Sequence, residues 1–157
     1  DIIRLGLADK DDAIRAHAVE LVAQLGLKEL SGELERLLVD KKDSIRKMAS
    51  ELARKFDLRD ISEKLKAAAR KETDDFIKVE MAETIAEFGD AYAIDLFIEV
   101  MDDGQSKVAR QDAFEHLSQH VTEPLEFDSS LSPESNDAQI EKIRSWWQNN
   151  KDKFKTR

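Results

Sequence analysis

Residues 12–26 read DAIRAHAVELVAQLG, and the spacing of their apolar side chains decides the fold. Counting from Ile14, apolar residues recur at Ala18, Leu21, Val22 and Leu25, the +4, +7, +8 and +11 positions. These positions form one stripe of a helix with about 3.6 residues per turn. The pattern returns at Ile45 with Ala49, Leu52, Ala53 and Phe56, and at Ile77 with Met81, Ile85 and Phe88. It returns more loosely at Ala109 with Ala113 and Leu117. The starting positions are 31, 32 and 32 residues apart, and each is followed by a base: Arg15, Arg46, Lys78, Arg110. A recurrence of that length marks a repeat architecture, in which each layer completes the burial of its neighbour.

A second helix is expected after a tight turn in each repeat. The turns are Gly26-Leu27-Lys28, Asp57-Leu58-Arg59 and Gly89-Asp90-Ala91, with glycine twice where a helix ends in a left-handed residue. The second helices then cover about Glu29–Val39, Asp60–Arg70 and Tyr92–Asp102. Their buried columns are Leu30/Ile61/Ala93, Leu34/Leu65/Phe97 and Leu38/Ala69/Met101. Asp12, Asp43 and Asp75, two residues before each starting position, suit the first turn of a helix.

Composition agrees with helix nearly throughout. The 157 residues include only five glycines and two prolines, and 41% are apolar, enough for one continuous core. The 38% of charged residues sum to a net charge of −9, a field that repels phosphate backbones and anionic membranes. No stretch has the apolar length that spans a bilayer. Cysteine is absent, which removes disulfide and thiolate chemistry and is compatible with either side of a membrane, the cytoplasm being slightly favoured. Asp1 is not an initiator residue, so a fragment or processed product is expected. Residues 1–9 overlie 32–40 when shifted by 31, so they are expected to end an upstream repeat of a longer array.

The spacing I/V-R/K-x-x-A-x-x-L at this period resembles HEAT-like repeats, especially the short bacterial kind also seen in phycobilisome lyase-type proteins. The resemblance covers about Ile3 to Leu117; the tetratricopeptide and ankyrin patterns fit worse. It implies an all-α fold, a right-handed α-solenoid of about four helix pairs. As one domain, the chain would hold repeats at 10–40, 41–72 and 73–103 and a partial repeat at 104–121. A loop at 122–135 and a closing helix and tail at 136–157 would complete it. The loop assignment rests on Pro124, Asp128, Ser129, Ser130, Ser132 and Pro133. The closing helix carries Ile140, Ile143 and Trp147 on one face, and its ending R-x-W-W-x-x-N is similar to the ends of some bacterial HEAT-like proteins. The helix over Tyr92–Asp102 is apolar nearly all round, so the tail or the loop before it should cover its extra face.

Three sets of residues could carry chemistry. The ladder Arg15, Arg46, Lys78 and Arg110 could bind anions, but the expected role is structural, pairing with helix-end acids such as Asp12, Asp43 and Asp75. His116 and His120 stand one helical turn apart, a spacing open to a metal, yet no third ligand is designated. HEAT-like deoxyhypusine hydroxylase carries repeated His-Glu pairs, and this chain has no such dipeptide. His116 is therefore expected to bond the Thr84 hydroxyl, and His120 to suit a helix C-terminus. Trp147 is expected to pack and Trp146 to be open to a contact. No phosphate loop, nucleophile elbow or catalytic carboxylate pair is visible, and no cofactor or metal is expected.

The surface left for function is that of the second helices, concave in HEAT-like stacks and commonly used to hold partner segments. Its candidate contact residues are Glu29, Glu33, Arg36, Asp60, Glu63, Lys64, Tyr92, Asp95 and Glu99, with Trp146 on the closing helix. Their balance is acidic, which suits a basic peptide or protein. The expected role is a non-catalytic protein-interaction or scaffold module, without nucleic acid and without membrane insertion. The alternatives are a chromophore-lyase-type enzyme or accessory subunit and, against the charge, a nucleic-acid binder like the HEAT-like alkylpurine DNA glycosylases. Oligomeric state is left open.

Overall fold

The first helices of the first, third and fourth repeats begin at side-chain caps. Asp11 accepts from the Ala13 amide, Asp74 from Phe76 and Ile77, and Ser106 from Ala109, each satisfying orphan donors of a first turn. The computed structural model describes residues 2–154; Asp1 and residues 155–157, parts of the expected first segment and tail, lie outside the described residues. The described residues form nine α-helices and no strand. These are α1 (Ile2–Leu7), α2 (Asp12–Leu25), α3 (Ser31–Leu37), α4 (Asp43–Lys55) and α5 (Ser62–Lys71). There follow α6 (Asp75–Glu87), α7 (Tyr92–Asp103), α8 (Lys107–His120) and α9 (Pro133–Asn150).

The turns within the repeats use left-handed residues at equivalent places: Gly26 (φ 66°), Asp57 (φ 53°) and Gly89 (φ 87°). Two of the second helices are shorter than their expected spans. Lys28–Leu30 and Arg59–Ile61 form single 3-10 turns before α3 and α5, a tighter winding common at helix starts. The last helix is longer. Ser132 accepts from the Ser135 amide and Pro133 is the first helical residue, so the proline read as loop chemistry instead opens α9.

The first helices pack in a row, α2 on α4, α4 on α6 and α6 on α8. The second helices lie against them, with α3 on α4, α5 on α6, and α7 against both α6 and α8. The expected columns are buried: Leu34, Leu65 and Phe97 are each 0% exposed, and burying such a side chain contributes about 2 kcal/mol. Ile45, Ile77 and Ala109 are also buried. Ile14 breaks the expectation of a common interior. It is 47% exposed, because α2 is the first helix of the row and nothing among the described residues lies beyond it there.

The helix that is apolar nearly all round, α7, is covered as its composition requires. It touches α6 and α8, and α9 packs on its remaining side, so Leu96 and Ile98 are buried along with Ile140, Ile143 and Trp147. The Trp147 indole donates to Asp95 at 2.8 Å and meets the Phe154 ring edge-on at 5.2 Å. The segment between α8 and α9 is held by Phe127 against Phe114 and by Arg110, whose guanidinium donates to the carbonyls of Ser129 and Leu131.

Candidate partner-binding surface

The residues expected to meet a partner divide by what they already bond. Glu29 and Asp60 occupy the 3-10 turns that lead into α3 and α5, at equivalent positions of successive repeats. Both are exposed, and neither makes a side-chain bond among the described residues. Arg36 on α3 is exposed as well. The others are engaged, across layers or within a repeat. Arg4 Nε donates to Glu33 at 2.5 Å, Lys64 pairs with Glu35 at 3.4 Å, Lys66 with Glu63 at 2.6 Å, and Lys78 with Glu99 at 2.6 Å. Glu63 remains largely open despite its pair, its side chain being 81% exposed.

Tyr92 is half-buried at the start of α7. The Arg70 guanidinium stacks 4.8 Å above its ring, and Arg70 Nε donates to its hydroxyl at 3.1 Å. That leaves the ring partly masked. Asp95 accepts from Trp147, so the third repeat meets α9 where the first two stand open. Trp146 is half-buried and lines a groove with Pro124, Leu125 and Ile143.

The repeated bases hold the layers together, but through acids other than those expected. Arg15 grips Asp40 through two bonds of 2.7 and 2.9 Å and also donates to the carbonyls of Asp9 and Lys10. Arg46 does the same with Glu72, at 2.6 and 2.9 Å, and with the carbonyl of Asp40. Each guanidinium thus binds the acid that closes its own repeat and the backbone that closed the one before. Asp12 and Asp43 are not these partners; Asp75 instead accepts from the amides of Gln105 and Ser106 in the next layer. The carboxylates follow their environment. Burial works to raise Asp40 and Glu72, yet the facing guanidinium and backbone amides hold both below the usual range. Among the described residues each base of the ladder is thus engaged, Lys78 with Glu99 and Arg110 with the carbonyls of Ser129 and Leu131.

The histidines of α8 meet a carboxylate rather than a hydroxyl. His116 Nδ1 and His120 Nε2 each lie 2.9 Å from one oxygen of Glu83 on α6, while Thr84 bonds the Ser50 hydroxyl at 3.0 Å. Phe97 stacks on both imidazoles, at 5.9 and 6.3 Å. Burial alone would raise Glu83, but the two imidazoles outweigh it and bring the carboxyl down to about 2. Glu83 in turn raises His116 above its ordinary value, against burial. A signal for this cluster exists in the sequence. His116 and His120 occupy the +7 and +11 columns that carry Leu52 and Phe56 in the second repeat, so a polar partner in the preceding layer was required. Which acid supplies it follows only from helix rotation.

Chemically, the arrangement is an all-helical stack with its layers pinned by ion pairs and an acidic flank left open. Among the described residues, no group of three or more histidines, cysteines or acids is arranged to hold a metal ion. No helix of the described chain is long and apolar enough to cross a membrane. Neither a protein-family model nor a curated protein matches the sequence.

Proposed function

We propose that the chain is a HEAT-like α-solenoid, a right-handed superhelix whose second helices line a concave face, and that this face binds a basic peptide segment as a non-catalytic interaction or scaffold module. Support for the architecture comes from the recurring packing of α2, α4, α6 and α8 and from the 31–32 residue phase of their buried columns. The observation that carries the binding role is the pair Glu29 and Asp60. They are equivalent, exposed carboxylates in successive repeats with no internal partner among the described residues, and Glu63 stands open beside Asp60. A row of acids on a preformed surface attracts and orients a basic segment, and its contribution weakens with salt.

The test uses an oligoarginine peptide and the whole chain. Replacing Glu29, Asp60 and Glu63 together by lysine should weaken binding by at least about tenfold and flatten its dependence on salt. Affinity and salt dependence that survive the triple reversal would reject this face. Because all three side chains are exposed, the substitutions should leave the helical content unchanged.

A further inference from the structure

The row of first helices has one end that its own pattern leaves open. The residue at the head of the pattern is 0% exposed at Ile45, 5% at Ile77 and 0% at Ala109, but 47% at Ile14. The +11 residue follows suit, with Phe56 5% exposed and Leu25 61%. Each of α4, α6 and α8 has a helix before it in the row, and α2 has none among the described residues. Between α1 and α2 this leaves a cavity of about 340 Å³ lined by Ile3, Leu5, Ile14 and Leu21, together with Asp9.

Asp9 says what fits there. It corresponds to Asp40, 31 residues on. Asp40 accepts from the Lys42 amide at 2.8 Å and from the Arg15 guanidinium, and Arg46 binds its carbonyl. Asp9 repeats two of these three features: its side chain accepts from the Asp11 amide at 2.9 Å, and Arg15 binds its carbonyl. The third is missing, for no basic side chain among the described residues reaches the Asp9 carboxylate. A guanidinium receptor is therefore built beside an apolar cavity, in the same register as an interface the chain forms elsewhere.

We propose that this end face docks one further amphipathic helix of the same kind as α2 and α4. Its apolar stripe covers Ile14 and Leu21, and an arginine one residue beyond its first apolar position forms two bonds with Asp9, as Arg15 does with Asp40. A second folded copy of the chain does not meet this need. Its Arg15 and Arg46 are held by their own carboxylates, and its Arg110 by the carbonyls of Ser129 and Leu131.

The probe is a synthetic peptide of residues 42–56, KDSIRKMASELARKF, titrated into the whole chain while helix content and binding are followed. Binding with a gain of helix is expected, and Ile14→Glu in the protein should abolish it. Asp9→Asn in the protein, or Arg46→Gln in the peptide, should each weaken binding about tenfold, and the two together no more than either alone. Asparagine keeps an oxygen for the Asp11 amide and Ile14 is exposed, so both protein variants should fold as before. Absence of binding overturns the proposal, as does equal binding by a scrambled peptide of the same composition. So does a loss from Arg46→Gln that is undiminished in the Asp9→Asn protein. Self-association of the protein alone that Ile14→Glu removes would assign the face to a second copy and overturn it too.

Discussion

The Arg46 guanidinium and the Glu72 carboxylate meet through two parallel bonds of 2.6 and 2.9 Å across 26 residues of sequence. The Glu72 side chain is only 2% exposed, so its charge depends on the facing Arg46 guanidinium rather than on water. Arg46→Leu should therefore destabilise the fold by about 3 kcal/mol, because it strands a buried charge. Arg46→Leu combined with Glu72→Leu should cost clearly less than Arg46→Leu alone. Urea unfolding followed by circular dichroism checks both, and a double variant as unstable as the single one would contradict this account.

The same motif explains a glycine in the third repeat. Gly104 stands 26 residues beyond Lys78, where an acid would complete the series, but a Cβ there would lie 2.4 Å from the Val100 carbonyl oxygen. No side chain fits without moving backbone, and Lys78 turns to Glu99 instead. Gly104→Ala should lower stability by about 2 kcal/mol, within the range for overpacking. Thermal unfolding indistinguishable from the parent would count against so close an approach.

Asp57 holds a left-handed conformation at the turn position where the neighbouring repeats have Gly26 and Gly89. Its carboxylate pairs with Arg59 at 2.8 Å, but both side chains are more than half exposed, so that pair offsets little. Asp57→Gly should raise stability by about 0.5–1 kcal/mol by relieving the backbone, and a β-branched Asp57→Val should lower it by more than about 1 kcal/mol. The denaturation midpoints of the two variants should bracket that of the parent.

Glu83 and His116 make stability depend on pH in both directions. The Glu83 carboxyl falls from an ordinary 4.5 to about 2, so its contribution is present above pH 4.5 and is lost as pH falls towards 2. His116 is raised above 6.5, so its contribution is full below 6.5 and is lost as pH rises through the folded value. The charges facing this cluster are Glu80 on α6, a half-buried carboxyl paired with Arg54 and raised chiefly by desolvation, and Asp112 on α8. Melting temperature should be highest between about pH 4.5 and 6.5. Replacing His116 by glutamine should flatten the alkaline limb, and an unchanged limb would remove this cluster as its source.

The chain's two tryptophans both lie on α9, so tryptophan fluorescence reports on that helix. Trp147→Phe keeps most of the buried area but loses the bond to Asp95, and should cost about 1 kcal/mol. Trp147→Ala should cost about 3–5 kcal/mol. Removing residues 133–157 should expose the outer side of α7 and raise the binding of a hydrophobic dye; unchanged dye binding would mean that another segment covers that side.

Much of this molecule is legible in one dimension because a helix returns its side chains to the same face every 3.6 residues or so. The positions of the first helices, the columns Leu34/Leu65/Phe97 and Leu38/Ala69/Met101, the glycine turns and the need to cover α7 follow from spacing and residue type. The partners of the charged residues do not. Arg15 passes over the adjacent Asp12 for Asp40, and two histidines share Glu83 instead of Thr84, because such choices depend on how far one layer is rotated against the next. The exposure of Ile14 is likewise a matter of what packs beside α2, and no local pattern records that. Periodicity settled which side chains turn inward; the stacking of whole helices settled which of them meet.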